Sequence, residues 1–173
     1  ERRPAPSAAA GEYDVVYVRF PGYGDHERTL WPEVFHPARL EPGADLMLLH
    51  PDGSEEVLVE GGDGAVTDPY VSFDAQWVYY SYFPDLRPER LNEQRQYLPM
   101  DGADIFRIHL ESRRVEQLTF GEFTPNTGAG DWDETNPLDP EPGLNRLGYG
   151  IVNSGPCPLP GGRIAFTSNR NGF

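Results

Sequence analysis

Two stretches of this chain are spelled almost alike. Gly43-Ala44-Asp45-Leu46-Met47-Leu48-Leu49-His50 matches Gly102-Ala103-Asp104-Ile105-Phe106-Arg107-Ile108-His109 at a shift of 59 residues. Each copy runs through a short polar turn into a further apolar stretch, Glu56 to Glu60 or Val115 to Thr119. A second motif recurs as aromatic and β-branched runs at Asp14 to Phe20, Gln76 to Phe83 and Arg163 to Ser168, which read as strands. Aligning Val15-Val16-Tyr17 with Trp77-Val78-Tyr79 and Ile164-Ala165-Phe166 gives shifts of 62 and 87 residues. At the second shift Pro69 falls on Pro156, Asp74 on Gly161 and Ala75 on Gly162. Repetition on this scale constrains a fold strongly, because a repeat unit buries its apolar face only by stacking on its neighbours.

The sequence therefore predicts an all-β protein, a partial β-propeller. About two and a half blades of four-stranded antiparallel sheet are expected, stacked radially and separated by long loop insertions. Usual blade periods are roughly 40–50 residues, so the longer shifts require insertions. They are expected at Pro21 to Pro42, Pro84 to Asp101 and Glu122 to Gly155, gathered on one rim. Propellers close with at least four blades, so residues 13–173 are expected to be an incomplete propeller, part of a longer chain or completed by a partner. A self-contained β-sandwich with long loops is the competing architecture.

Composition narrows the classes. Gly 19 and Pro 18 together make 37 of 173 residues, far above the usual share of roughly 12%. Backbone breakers at that frequency exclude a helical bundle or a coiled coil. No apolar run approaches the roughly 18 residues of a membrane-spanning helix. With 28 acidic against 14 basic side chains the net charge is -14, which argues against nucleic-acid binding, since that needs a basic patch. All the basic residues are arginines, and Cys157 is the single cysteine, so no intrachain disulfide is available. The chain starts at Glu1, and Arg3 to Gly11 is rich in Pro and Ala. Residues 1–12 accordingly read as a flexible tether left after export, which implies a periplasmic or extracellular protein.

The strand Gly161-Gly162-Arg163-Ile164-Ala165-Phe166-Thr167-Ser168-Asn169-Arg170 resembles the repeat of TolB-like periplasmic β-propellers. In that repeat a Ser-Pro-Asp-Gly turn leads into a strand ending in Phe, a variable residue, Ser and a polar residue. Ser72-Phe73-Asp74-Ala75 is a degenerate copy of the turn. The string from Gly155 to Phe173 is similar to the N-terminal propeller of hydrazine synthase alpha-subunit-like proteins. Many members of that group pair the propeller with c-type haem domains, so the resemblance implies a multihaem cytochrome domain or chain as partner. Covalent haem needs Cys-x-x-Cys-His. Cys157 is followed by Pro158, Leu159 and Pro160, so no haem attaches within these residues.

Candidate site residues are few. Asp131, Asp133 and Glu134, with Asp139 and Glu141 after them, alternate carboxylates on a loop and suit a hard cation such as calcium. The spacing lacks the EF-hand pattern, and a solvated acidic loop is the simpler explanation. Cys157 lies between two prolines, where it would face a neighbouring cofactor, bind a soft metal, or be a small buried hydrophobe. His26 and His36 match no zinc spacing, and His50 and His109 hold equivalent repeat positions, which favours structural roles. The glycine clusters open no helix and read as turns, not nucleotide loops. Gly-x-Ser-x-Gly does not occur.

The expected function is a non-catalytic scaffold presenting loops to a partner domain or subunit, in an extracytoplasmic haem-containing redox complex. One alternative is a segment of a hydrazine-synthase-alpha-like redox enzyme, lending loop residues to a metal or haem site completed elsewhere. Another is a secreted, calcium-stabilised ligand-binding module.

Overall fold

A computed structural model describes residues 12–20, 42–92, 98–121 and 150–169. These residues are all-β, apart from one turn of 3-10 helix at Pro88–Arg90. The strands in chain order are β1 (Val15–Arg19), β2 (Asp45–Leu49), β3 (Glu55–Val59), β4 (Ala65–Val71), β5 (Trp77–Phe83), β6 (Leu91–Asn92), β7 (Leu98–Pro99), β8 (Asp104–His109), β9 (Val115–Gln117), β10 (Asn153–Leu159) and β11 (Arg163–Ser168). They pair antiparallel into a first sheet β1-β2-β3, a middle sheet β4-β5-β8-β9, a last sheet β10-β11 and a small ribbon β6-β7. None of these sheets closes on itself. Among the described residues the middle sheet alone has four strands, where sequence repetition predicts four in two units.

The two copies of Gly-Ala-Asp do the same job. Gly43 and Gly102 both have positive φ, 89° and 69°, a conformation glycine adopts without steric penalty. A methyl group at Gly102 would also run into the Ile151 carbonyl. The alanine that follows leaves its own sheet and makes a parallel bridge to the next one, Ala44 to Ala65 and Ala103 to Val152. Val66 N donates to Ala44 O and Asn153 N donates to Ala103 O, both at 2.9 Å. The aspartate then turns back, accepting a backbone N–H at 2.9 Å from Gly61 onto Asp45 and from Gly121 onto Asp104. One joint is thus made twice, once between the first and middle sheets and once between the middle and last.

The strand that enters each joint is bulged. β4 slips register between Thr67 and Tyr70, and β10 slips between Ser154 and Cys157. The bulges contain Asp68-Pro69 and Gly155-Pro156, 87 residues apart, and both residues before proline have positive φ, 52° and 64°. Proline has no N–H to give a ladder, so it is accommodated at a bulge. Residues 153–155, expected within the third insertion, are therefore strand, and Cys157 lies within β10.

Pairing also corrects the alignment of the aromatic strands by one residue. Tyr17 lies opposite Met47 and Tyr80 opposite Phe106. Because Met47 and Phe106 are 59 residues apart, Tyr17 corresponds to Tyr80 and Val15 to Val78. In the last sheet Pro158 pairs with Ile164 as Val71 pairs with Val78. The equivalent triplets are Val15-Val16-Tyr17, Val78-Tyr79-Tyr80 and Ile164-Ala165-Phe166. The connection from Pro158 to Ile164 is one residue shorter than that from Val71 to Val78, which removes the apparent ungapped match. A slip of one residue exchanges the two faces of a strand, so this correction decides what packs where.

The main core lies between the first and middle sheets. Leu46, Leu48 and Leu58 meet Val66, Val78, Tyr80 and Ile108, with Val16 and Val18 packed against them. Burying each such aliphatic side chain is worth about 1.5–3 kcal/mol. A smaller cluster gathers both joints: Ala44, Ala65 and Ala103 with Phe83 and Leu86.

Candidate interaction surfaces

Because the sheets repeat, covered and uncovered copies of one face can be compared position by position. On β5 the even residues Val78 and Tyr80 face the first sheet and are 0% and 1% exposed. Their counterparts on β1 are Val15, 49% exposed, and half-buried Tyr17, whose hydroxyl donates to Glu55 Oε1 at 2.6 Å. Burial drives the Tyr80 phenol above its ordinary pKa. The odd residues of β5 look the other way, toward β10. Tyr79 and Ser81 are buried there, while their last-sheet counterparts Ala165 and Thr167 are exposed. Both ends of the described array thus present faces whose internal copies are buried.

Strand edges show the same contrast. β5 is flanked by β4 and β8, whereas β1 pairs only with β2 and β11 only with β10 among the described residues.

Polar clusters stitch the middle and last sheets. Asp104 Oδ1 accepts from Thr119 Oγ1 at 2.7 Å and from Asn153 Nδ2 at 3.0 Å, as well as from Gly121 N. Asn153 is fully buried. At the bulge, Asp68 Oδ2 accepts from Thr67 Oγ1 at 2.9 Å and from Ser81 Oγ and Gly155 N, each at 3.3 Å. Left-handed backbone in a non-glycine residue before proline costs roughly 1–3 kcal/mol, and this carboxylate, tying two sheets, offsets it.

Arginines clasp the outer surface. Arg107 lies over the Trp77 ring at 4.0 Å, with its Nε donating to Glu116 at 2.7 Å. Arg113, on the turn after β8, donates twice to Glu56 of the first sheet, at 2.8 and 2.7 Å, and holds that carboxyl below its usual range. Near the joints Arg87 pairs with Asp85 and pulls its carboxyl down to about 2.

Of the predicted site residues, Asp131, Asp133 and Glu134 lie outside the described residues, as do His26, His36, Asp139 and Glu141. Cys157 is half-buried on the same side of its sheet as its partner Ala165, opposite buried Pro156 and Pro158. His50 Nδ1 lies 3.0 Å from Asp14 Oδ1, and His109 meets Trp77 edge-on at 4.8 Å between centroids while its Nδ1 accepts from Ser112 N. Both histidines begin hairpin turns, as their equivalent positions suggested. Among the described residues no group of three or more His, Cys, Asp or Glu side chains is placed to hold a metal ion. No helix is long and apolar enough to cross a membrane among them. Sequence reasoning missed Asp68 and Ser81, although the recurrence of X-Pro at a shift of 87 was the available signal.

No protein-family model matches this chain, and no curated protein or solved structure is significantly similar to it.

Proposed function

We propose that this chain is a non-catalytic scaffold of the propeller type, which extends its stack of sheets onto a partner domain or subunit and presents its inserted segments there. The observation that supports this reading is the joint made twice. A contact that places a second sheet on the first, and repeats to place a third on the second, is an operation that continues onto further sheets. The face of the last sheet that carries Ala165 and Thr167, exposed among the described residues, is the natural continuation, because their middle-sheet counterparts Tyr79 and Ser81 are buried. An extracytoplasmic redox assembly is the setting the family resemblance proposes for such a scaffold.

Thr167 is the position to probe, because its middle-sheet counterpart Ser81 is fully buried. In Cys157→Ser/Thr167→Cys, alkylation by iodoacetamide is expected to be at least tenfold slower in the native assembly isolated without denaturant than in the chain of 173 residues alone. Equal rates in the two preparations would overturn the scaffold reading.

A further inference from the structure

We infer that His50 and His109, at one repeat position, work a pH-sensitive catch between the first and middle sheets, in which acid moves Glu56 from Arg113 to His50. The catch is independent of the scaffold reading, and three observations carry it.

The first is that the two imidazoles hold opposite hydrogen-bonding roles. His50 Nδ1 lies 3.0 Å from the Asp14 carboxylate, which only accepts, so that nitrogen carries the proton. His109 Nδ1 accepts from the Ser112 backbone N–H at 3.2 Å, so that nitrogen carries none. Histidine changes charge between about pH 5 and 8. A second proton therefore goes to Nε2 of His50 but to Nδ1 of His109, where it leaves the Ser112 N–H without its acceptor.

The second is where those protons arrive. His50 Nε2 faces Glu56 Oε2 at 3.8 Å, the oxygen to which Arg113 Nη2 already donates at 2.7 Å. Neutral, that nitrogen turns a lone pair to a carboxylate. Charged, it becomes a donor to the same oxygen, with Asp14 and Asp52 as the other acids facing it. Around His109 the balance is reversed. It meets the Trp77 ring edge-on, and Arg107 and Arg114 both lie over that ring. The acids on that side are Glu111, on the turn itself, and Asp74, which already accepts from Ser72 Oγ and Gln76 N.

The third is the turn that carries Arg113. The two hairpins close alike, Gly53 N donating to His50 O and Arg113 N to His109 O, both at 2.9 Å. Gly53 has φ of 85° and Arg113 φ of 58°, a left-handed backbone that glycine takes freely and an arginine does not. The strained turn after β8 is held by the Ser112 N–H, the Arg113 N–H and the Glu56 carboxylate. Acid removes the first and divides the third, so this turn relaxes. The turn after β2, closed by glycine, gains an ion pair instead.

The test is hydrogen exchange by NMR on the whole chain between about pH 7.5 and pH 5. Each amide's protection is its rate relative to that of an unstructured peptide at the same pH. Protection of Ser112 and Arg113 is expected to fall about fivefold on acidification, the worth of one hydrogen bond, while that of Gly53 holds or rises. The Arg113 Nε–H signal, bonded to Glu56 Oε1 at 2.8 Å, is expected to move toward that of a solvated guanidinium. His109→Asn, whose side-chain oxygen replaces Nδ1 as an acceptor that does not titrate, is expected to abolish the fall. His50→Asn, which keeps a donor for Asp14 and offers none to Glu56, is expected to reduce the Nε–H movement and leave the Ser112 response intact. Constant protection of Ser112 and Arg113 down to pH 5 would overturn the inference, as would an undiminished fall in His109→Asn or an undiminished Nε–H movement in His50→Asn. An equal fall at Gly53 would mean general loosening in acid and would overturn it too.

Discussion

At the joint between the first and middle sheets, Asp45 accepts one backbone N–H and meets Arg19 at 3.3 Å, and beside it lies an apolar core that includes Leu46, Leu48, Val66, Val78 and Tyr80. At the joint between the middle and last sheets, the equivalent Asp104 gathers Thr119, Gly121 and buried Asn153, and nearby Asp68 and Ser81 reach Gly155. The backbone connection is the same in both. What adheres differs: hydrophobic burial at one joint, satisfied hydrogen bonds at the other. A repeat can thus conserve geometry while exchanging the force that stabilises it, because the bridge sets where two faces meet and leaves their side chains free to vary.

The largest test of this contrast is Tyr80→Ala, which empties the centre of the apolar interface. Removing a buried aromatic ring is expected to cost about 4 kcal/mol, read as a shift in the urea midpoint, with protection of β1 and β2 amides lost before that of β10. Next come the paired variants Asp104→Ala and Asp45→Ala. The first leaves a buried amide and hydroxyl without their acceptor and is expected to cost about 3 kcal/mol, against about 1 kcal/mol for the second. Equal costs would mean the two joints are chemically alike after all. The smallest effect is electrostatic. Asp85 and Arg87 flank Leu86, which belongs to the cluster that gathers both joints. With the carboxyl held near 2 in the folded chain against an ordinary 3.8, the pair's contribution is complete above that ordinary value and lost as pH falls toward 2. The stability difference between the protein and Asp85→Asn is expected to be present at pH 5 and to vanish near pH 2, followed by acid titration of the unfolding midpoint.

Seven strands were legible from residue pattern alone: β1, β2, β3, β5, β8, β9 and β11 lie in stretches that carry aromatic or branched apolar side chains and no proline. β4 and β10 were not, because Asp68-Pro69 and Gly155-Pro156 interrupt them and read as punctuation. Proline removes one ladder hydrogen bond, but a bulge absorbs the loss, and pairing resumes at Tyr70 and Cys157. The aromatic repeat was seen but displaced by one residue in its middle copy, since Trp77 and Val78 both suit a strand and only pairing partners separate them. The matching places of His50 and His109 at the starts of hairpin turns followed from their equivalent positions. The polar stitching escaped because Asp104, Thr119 and Asn153 are far apart in sequence and each is unremarkable where it stands. A carboxylate's neighbours across a sheet boundary are set by the joint, and the joint becomes visible only once Ala103 is seen to leave its own sheet.

Arg19 and Asp45 face each other across neighbouring strands, so residues 20–44 begin and end at one spot, clamped there by the ladder. Closing a loop costs chain entropy that grows slowly with length, about 0.6 kcal/mol for a doubling. An insertion or deletion between these two ends is therefore expected to leave the register of β1 and β2 unchanged.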